Sequence, residues 1–353
     1  MSRAGKILIY GATGYTGKLT ARTAKSLGLQ PILAGRSEEK VRPLAEELGF
    51  EWRAFDLKEI EKLDHALNEV AVVLHIAGPF SATSKAMADA CIRTKTHYLD
   101  ITGEIAVFEA LAARDAEAKK AGVMLLPGVG FDVVPSDCLA AHMKRRLPDA
   151  EDLKMYIGGL SSVSRGTAKT MVEGVAQGTA VRRNGDIELL EGTHEDECDF
   201  GQGPKPTVAI SWGDVSTAFH STKIPNIEIH FEAIPELRRM SKTPGIVKAF
   251  LGLSFMQSFL KRQIDKQPEG PTDEQRKNGF GVLIAVARNG KGDTVRSRLK
   301  TPEGYTLTAF TGLDIAKRVS NGQFKPGFQT PSLAFGPDFI LGFDNVTRDD
   351  LNR

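Results

Sequence analysis

Residues 6–17, Lys-Ile-Leu-Ile-Tyr-Gly-Ala-Thr-Gly-Tyr-Thr-Gly, join a short apolar run to three evenly spaced glycines. In this pattern Gly11 permits a tight turn, Gly14 leaves room for a pyrophosphate, and Gly17 lets the following helix pack closely on its strand. The helix predicted from Tyr15 would present its free N–H groups to the phosphates. The stretch therefore predicts the first strand, turn and helix of a dinucleotide-binding domain.

Two other nucleotide-binding motifs do not fit the chain. The phosphate-binding loop of NTPases needs a glycine where this chain has Ala12, and a magnesium-binding hydroxyl where it has Leu19. A short-chain dehydrogenase carries a lysine four positions after its active-site tyrosine, and none of the five tyrosines here has one. We therefore discard both classes.

The residues after the second predicted strand indicate which dinucleotide binds. Arg36 and Ser37 lie where an NAD-specific site carries an acidic residue for the ribose hydroxyls. A guanidinium group suits a 2′-phosphate, so the sequence predicts NADP(H). The alternative is that Arg36 only caps or solvates the helix predicted over 38–48. Asp56, after the third strand, is either an acceptor for the adenine amine or the N-cap of the next helix.

The composition is that of a folded, enzyme-sized protein. With 353 residues, 41% of them hydrophobic, the chain is long enough for two domains with buried cores. The formal charge of +2 offers no basic field, and we expect no nucleic-acid partner. The three cysteines form no Cys-x-x-Cys pair, which indicates a reducing compartment. No apolar leader precedes the first strand, so we expect a cytoplasmic protein.

Apolar runs alternate with helical patterns along the amino-terminal third of the chain. We assign strands to residues 6–10, 31–34, 51–55, 71–76, 96–100 and 123–126. We assign helices to residues 15–27, 38–48, 58–68, 81–94 and 104–121. This alternation predicts an α/β fold with a Rossmann-type, doubly wound parallel sheet. We interpret His75, inside the fourth strand, as an inward histidine satisfied by its neighbours rather than as a catalytic one.

The pattern of apolar and polar residues changes after residue 126. A helix is predicted to about residue 146, followed by strands at 152–158, 206–213, 215–221 and 225–233 and by a hairpin of residues 279–288 and 293–299. Alternating apolar and polar residues predict an α+β domain with a mostly antiparallel sheet. The polar, proline-containing stretch 265–278 is predicted to be disordered.

Polar side chains at the end of the fifth strand are the first candidates for chemistry. Tyr98, Asp100, Thr102 and Glu104 lie at the sheet edge where ligands of open α/β sheets bind. Hydride transfer usually needs a proton donor, and Tyr98 or Asp100 is our first candidate. The alternative is that Asp100 and Thr102 only cap the helix that begins near Glu104.

Further candidates follow in the second half of the chain. Asp132 and Asp137 lie at the domain junction, where Asp137 either meets substrate or supports a hinge. Four cations, Arg165, Lys169, Arg182 and Arg183, are available to hold a carboxylate or a phosphate of the substrate, or they form a solvated face. His194 and Cys198 imitate half of a metal site, but no second such pair lies nearby and we predict no metal.

Residues 245–262 are apolar for most of their length and end in Lys261 and Arg262. The apolar part is shorter than the about 20 residues that span a bilayer. Three interpretations stay open: a helix buried in the domain or in a dimer interface, a wall of an acyl-binding tunnel, or a peripheral membrane anchor. The last two point to a lipid-like or acyl substrate.

The ordered set of motifs resembles the saccharopine dehydrogenase-like oxidoreductases, and most closely the branch that includes trans-acting enoyl reductases. The matching motifs are the glycine turn 11–17, Ala-Gly-Arg-Ser at 34–37, Ala-Gly-Pro-Phe at 77–80, His-Tyr-Leu-Asp-Ile-Thr-Gly-Glu at 97–104, the junction 128–137, Gly304-Tyr305 and Gly-Phe-Gln-Thr-Pro at 327–331. They extend over nearly the whole chain. The junction reads Gly-Phe-Asp-Val-Val-Pro, unlike the Gly-Leu-Asp-Pro-Gly of true saccharopine reductases, which argues against amino-acid chemistry.

The resemblance carries expectations about domains and site. It implies an NADP(H)-binding domain over 1–132, a substrate and dimerisation domain over 133–325, and a segment 326–353 that returns to the first domain; we expect a homodimer. It implies that NADP(H) contacts Gly11, Thr13, Gly14, Tyr15, Thr16, Gly17, Arg36, Ala77, Gly78 and Pro79, with Thr102, Gly103 and Glu104 flanking the nicotinamide.

Two functions from different classes fit these observations. The first is an NADP(H)-dependent reductase of an unsaturated acyl or polyketide-type substrate, with a variant that performs C–N chemistry on a carboxylated substrate held by Arg182 or Arg183. The second is a non-catalytic NADP(H)-binding protein whose second domain serves assembly or membrane attachment. Only the enzyme would consume the nucleotide.

Overall fold

The computed structural model describes residues 3–159, 164–174, 178–192, 194–233 and 253–351. The chain divides into two compact units, Met1–Val134 with Tyr305–Gly336, and Pro135–Gly304 with Pro337–Arg353. This division differs from the predicted boundaries after residue 304, because residues 305–325 fold with the first unit and residues 337–353 with the second.

The first unit contains a seven-stranded parallel sheet in the order β15-β6-β5-β4-β1-β2-β3. Its strands are β1 Ile7–Tyr10, β2 Ile32–Gly35, β3 Trp52–Ala54, β4 Val72–His75, β5 His97–Asp100, β6 Met124–Leu126 and β15 Gly327–Phe328. The first, second, fourth, fifth and sixth strands are buried along their whole length, as expected for a parallel sheet covered on both faces. The order of β1 to β6 is that of dinucleotide-binding sheets, with its reversal between β1 and β4. The predicted doubly wound sheet is therefore confirmed.

Helices follow the first five of these strands along the chain. They are α1 Tyr15–Ser26, α2 Glu38–Leu48, α3 Ile60–Asn68, α4 Phe80–Thr94, α5 Ile105–Ala112 and α6 Asp115–Ala121. The single helix predicted over 104–121 is two helices. The carboxyl side of the chain adds α12 Gly304–Ser320 and α13 Pro331–Phe335 to this unit.

The second unit is built on a mixed sheet of nine strands. Seven follow the order β10-β11-β12-β7-β13-β14-β16, and β8 and β9 lie off this path. The strands are β7 Ala150–Gly158, β8 Thr179–Arg183, β9 Asp186–Leu190, β10 Glu195–Asp199, β11 Pro204–Ala209, β12 Asn226–Glu232, β13 Phe280–Asn289, β14 Thr294–Pro302 and β16 Thr347–Leu351. Only the β7–β12 pair is parallel among the described strands of this sheet, which agrees with the predicted, mostly antiparallel domain. Its helices are α7 Val134–Arg146, α8 Arg165–Gly174, α9 Asp214–Thr222, α10 Ser254–Ile264 and α11 Asp273–Asn278.

Two local predictions in this unit were wrong. Residues 215–221 were expected as a strand, but α9 covers them. The buried positions Val215, Ala218 and Thr222 recur at helical spacing, which outweighs the strand preference of valine and threonine. The stretch 265–278, expected to be disordered, contains α11, whose start is fixed by a reciprocal capping box between Thr272 and Gln275.

The two ends of the segment after residue 304 have different partners. β15 pairs in parallel with β6, and the Thr311 hydroxyl of α12 donates a hydrogen bond of 2.7 Å to the Val129 carbonyl, both within the first unit. β16 pairs with β14 of the second unit, and Arg348 and Arg145 both bind Asp338. Among the described helices, none combines the length and apolar character that crossing a bilayer requires.

Candidate functional site

The glycine-rich turn after β1 is closed by backbone on one side and open on the other. Gly11 has a φ of +90°, and a Cβ there would lie 2.8 Å from the nitrogen of Ala77 and the carbonyl carbon of Ile76. A Cβ on Gly17 would lie 2.2 Å from the Gly11 oxygen, so glycine is needed for α1 to approach the turn this closely. A Cβ on Gly14 would meet one atom within 4 Å, the Gly11 oxygen at 3.6 Å. The turn therefore packs against the end of β4 and is open beside Gly14.

This open side leads to the N-terminus of α1. Gly14 is the N-cap residue, no side chain caps this end, and the first turn carries no acidic residue. Tyr15 and Thr16 are the first two residues of the helix, and both are half-buried. Because a helix N-terminus attracts anions through its N–H groups and dipole, the geometry fits a pyrophosphate at this place.

Arg36 and Ser37, the two residues after β2, provide a guanidinium group and a hydroxyl group beside the glycine-rich turn. Arg36 is exposed and makes no hydrogen bond or ion pair within the described part of the chain. Ser37 is the N-cap residue of α2, but its side chain makes no capping hydrogen bond. Thr13 Oγ1 lies 3.9 Å from the position of a Cβ on Gly35, the last residue of β2. Arg36 therefore does not cap α2, and these groups fit a 2′-phosphate.

Asp56 organises the turn before α3. Its Oδ1 accepts a hydrogen bond of 3.0 Å from the Lys58 N–H, and its own N–H donates one of 2.8 Å to Glu59 Oε2. The helix begins at Ile60, with Glu59 as its N-cap residue, so Asp56 is not the N-cap. Its contact with adenine stays a prediction.

The segment 77–79, between β4 and α4, is held by hydrogen bonds on its inner side. The Thr83 hydroxyl donates to the Ala77 carbonyl at 2.8 Å and accepts from His75 Nε2 at 2.9 Å. Burial lowers the pKa of His75 to about 3, so the ring is neutral at physiological pH. The interpretation of His75 as a structural histidine agrees with this geometry. Gly78 and Pro79 complete the segment, whose first residue, Ala77, packs against Gly11 of the glycine turn.

Glu104 joins the end of β5 to the start of α4. Its Oε1 accepts from the Phe80 N–H and its Oε2 from the Ser81 N–H, both at 2.8 Å. The Thr102 hydroxyl in turn accepts from the Glu104 N–H at 3.0 Å. The carboxylate therefore caps α4, a role that the sequence did not indicate because the two elements lie far apart along the chain.

The two residues expected as proton donors lie inside the domain. Tyr98 and Asp100 are both 0% exposed, and the tyrosine hydroxyl donates to Asp100 Oδ2 at 2.5 Å. Asp100 Oδ1 accepts from the N–H groups of Thr102 and Gly128. Burial raises the pKa of Asp100 to about 6, although these hydrogen bonds oppose the rise, and it raises the pKa of Tyr98 well above its usual value. The pair fixes the loops after β5 and β6 and offers no exposed atom to a substrate.

Among the acidic side chains at this sheet edge, Asp132 combines partial exposure with a raised pKa. It follows β6, and its Oδ2 lies 2.9 Å from the position of a Cβ on Gly103, in the loop expected beside the nicotinamide. The side chain is half-buried, and burial raises its pKa to about 7. Sequence reasoning placed Asp132 at the junction but gave it no role.

The cations of the second unit are engaged with other groups. Arg182 is 4% exposed, stacks on the Phe219 ring at 4.1 Å and donates to backbone carbonyls. Arg183 forms an ion pair with Glu228, and Lys169 forms one with Asp265. Arg165 donates to the Gln267 carbonyl at 2.5 Å, and Asp137 is fully buried. All four cations therefore have partners within the second unit, and of the four Arg182 is buried.

The half metal site is not completed by its surroundings. His194 Nε2 lies 3.0 Å from the Glu191 carbonyl, and Cys198 is buried beside Arg296. In the described ranges, no three His, Cys, Asp or Glu side chains meet as metal ligands would.

Comparison with known proteins supports the assignment of the first domain. Residues 7–126 match the model of the saccharopine dehydrogenase NADP binding domain. A trans-acting enoyl reductase of Mycobacterium leprae is 35% identical over 149 residues, which cover 40% of this chain and 36% of that protein. One of Mycobacterium ulcerans is 30% identical over 155 residues, 42% of this chain and 37% of that protein. The matches thus span little more than a third of these two curated relatives.

A solved structure extends the likeness to the whole chain. The apo, histidine-tagged saccharopine dehydrogenase (L-Glu forming) of Saccharomyces cerevisiae superposes with a TM-score of 0.65, covering 99% of this chain and 100% of that one. Its 13% sequence identity means that the likeness concerns the fold alone. The predicted resemblance to saccharopine dehydrogenase-like proteins is confirmed for the first domain: residues 7–126 match the NADP binding domain of saccharopine dehydrogenase, and beyond them the likeness is one of fold.

Proposed function

We propose that the chain is an NADPH-dependent oxidoreductase that reduces the carbon–carbon double bond of an unsaturated acyl substrate. The observation that carries the proposal is the exposed Arg36 guanidinium, without an ion pair in the described chain, beside the open glycine turn. NADPH, when bound, supplies the hydride. The N-terminus of α1 binds its pyrophosphate, and Arg36 with Ser37 binds the 2′-phosphate that distinguishes it from NADH.

The substrate class is proposed from two weaker observations. Curated relatives at 30% and 35% identity are named trans-acting enoyl reductases, although the matches cover little more than a third of their length. In α10, Phe255 and Phe259 are 62% and 53% exposed, as suits contact with an apolar chain. Residues 245–252, the start of the apolar stretch 245–262, lie outside the described residues. A carboxylated substrate has less support, because Arg182 and Arg183 are engaged elsewhere.

Asp132 is the proposed proton donor. When the hydride adds to the β-carbon of an enoyl thioester, the electron pair of the double bond moves to the α-carbon, which then takes a proton. A carboxyl group with a pKa of about 7 is partly protonated at neutral pH and can supply that proton. The carboxyl lies against Gly103, the residue expected beside the nicotinamide.

The cofactor choice is tested by binding. Arg36→Ala should weaken NADPH binding by about tenfold or more and leave NADH binding within about twofold, because only NADPH carries the 2′-phosphate. Arg42→Ala is the matched control: it removes an exposed arginine of α2, the helix that follows Arg36, and this arginine is paired with Glu38 and Glu46. Equal losses for both nucleotides, or an equal loss in the control, would contradict the assignment.

The reaction is tested by following NADPH consumption at 340 nm with a panel of α,β-unsaturated acyl thioesters. We expect turnover with at least one member and formation of the saturated thioester. Asp132→Asn should lower the turnover number by about a hundredfold with NADPH affinity unchanged. Binding of NADPH without turnover across the panel would instead favour the non-catalytic binding protein.

The dimer and the membrane contact stay proposals with their own tests. Light scattering coupled to size exclusion measures the mass in solution, and a mass of twice the 38.3 kDa chain supports the homodimer. Flotation with liposomes tests the membrane contact. Phe255→Ser combined with Phe259→Ser should abolish flotation if α10 inserts into the lipid surface, and flotation retained by this variant would refute the contact.

A further inference from the structure

A helix from the carboxyl side of the chain contacts the glycine turn. Tyr305 lies in the first turn of α12, and its ring meets that of Tyr15 edge to face, with ring centres 5.2 Å apart and planes at 89°. Tyr15 is the first residue of α1, directly after Gly14. Both tyrosines are half-buried and belong to the first unit. The ring pair therefore lies directly beside the glycine turn.

The packing of α12 shows which half of the sheet the pair faces. A Cβ on Gly312 would lie 3.4 Å from the Leu74 side chain of β4, and the Thr311 hydroxyl bonds the Val129 carbonyl, after β6. Arg36 lies on the opposite side of β1, after β2. A dinucleotide crosses such a sheet where the strand order reverses, here between β1 and β4. Arg36 therefore marks the adenosine half, and the tyrosine pair marks the nicotinamide half.

We propose that Tyr305 is a positioning residue for the cofactor. Its ring supports the Tyr15 ring, which in turn lies along the nicotinamide half of NADPH. The edge-to-face geometry is the arrangement that aromatic quadrupoles favour, so it restricts the rotamers open to Tyr15. This inference rests on the proposed cofactor site and adds a residue contributed by the segment after the second unit.

The test separates the two halves of the cofactor. The probes are NADPH and adenosine 2′,5′-bisphosphate, which carries the 2′-phosphate but no nicotinamide. Tyr305→Leu should weaken NADPH binding roughly 2- to 10-fold, the range expected from losing one aromatic pair, and leave the bisphosphate unchanged. Tyr305→Phe keeps the ring and should bind both ligands as the wild type does. A general loss of structure would weaken both ligands together.

A double-mutant cycle shows whether the two rings act as a pair. Tyr15→Leu leaves α12 intact, so it provides a result even if Tyr305→Leu folds poorly. If Tyr305 acts through Tyr15, the double variant should lose no more NADPH affinity than Tyr15→Leu alone. Additive losses, equal losses for both ligands, or a Tyr305→Phe variant as weak as Tyr305→Leu would each overturn the inference. A wild-type protein that binds neither probe would refute the proposed cofactor site itself.

Discussion

Glu104 has two candidate roles, and a single substitution distinguishes them. The family resemblance expects this residue beside the nicotinamide, whereas the structure shows its carboxylate capping α4 through the N–H groups of Phe80 and Ser81. Glu104→Gln keeps the size of the side chain and distinguishes the two roles. A cap stabilises the protein without nucleotide, but a cofactor contact does not.

The size of the effect follows from the hydrogen bonds. The carboxylate accepts two bonds of 2.8 Å from groups with no partner inside the helix. The amide keeps one acceptor and turns an NH₂ group toward the second N–H, so one charge-assisted bond is lost. Such bonds contribute about 1.5–3 kcal/mol, and we expect a loss of about 2 kcal/mol from the free energy of unfolding. For a unit of this size that lowers the melting temperature by about 4–8 °C.

The assay is thermal unfolding of the nucleotide-free protein, together with amide hydrogen exchange over residues 80–94. Glu39→Gln is the control: this exposed acid stands in the first turn of α2 and makes no hydrogen bond or ion pair in the described chain. It should shift the melting temperature by less than about 2 °C, because only a solvated charge–dipole interaction is removed. An unchanged melting temperature and unchanged exchange for Glu104→Gln would refute the capping argument.

Three further predictions concern stability. Gly14→Ala should unfold like the wild type, since its Cβ would have 3.6 Å to the nearest atom, whereas Gly17→Ala should lose about 2 kcal/mol or more in urea unfolding, since its Cβ would lie 2.2 Å from a backbone oxygen. Arg182→Ala should lose about 3 kcal/mol in the same assay, because one buried and one partly buried carbonyl lose their donor, and a loss below about 1 kcal/mol would contradict this. Because burial lowers the pKa of His75 to about 3, only the unfolded chain binds a proton at this ring between about pH 6.5 and 3, and the protein becomes less stable as the pH falls through this range. His75→Gln should reduce the slope of the unfolding free energy against pH by about 1.4 kcal/mol per pH unit, and an unchanged slope would refute this.

The first unit could be predicted from the sequence because its signals are local. Most residues of the buried strands are apolar, and each helix that follows has its own periodicity. The glycine turn is equally local, since the clash at Gly17 involves a residue six positions earlier. The split of the helix over 104–121 was missed because alanines on both sides of residues 113 and 114 favour helix throughout.

The second unit was predicted less well because its elements depend on distant partners. Residues 215–221 carry strand-forming side chains, and burial along one helical face decides for α9. Likewise, the sequence of residues 337–353 does not predict their pairing with β14, because this pairing joins segments far apart along the chain. The contact of Tyr305 with Tyr15 is hidden for the same reason.

The acids at the ends of β5 and β6 show why residue type does not determine role. Asp100 points inward, takes bonds from one hydroxyl and two N–H groups, and fixes two loops. Glu104 takes the two N–H groups at the start of α4. Asp132, half-buried against Gly103, has a pKa near the pH at which a proton donor works. Because backbone and hydroxyl donors take up the oxygens of Asp100 and Glu104, Asp132 is the proton donor that we propose. Asp132→Asn should be the only one of the three variants whose rate falls without loss of stability.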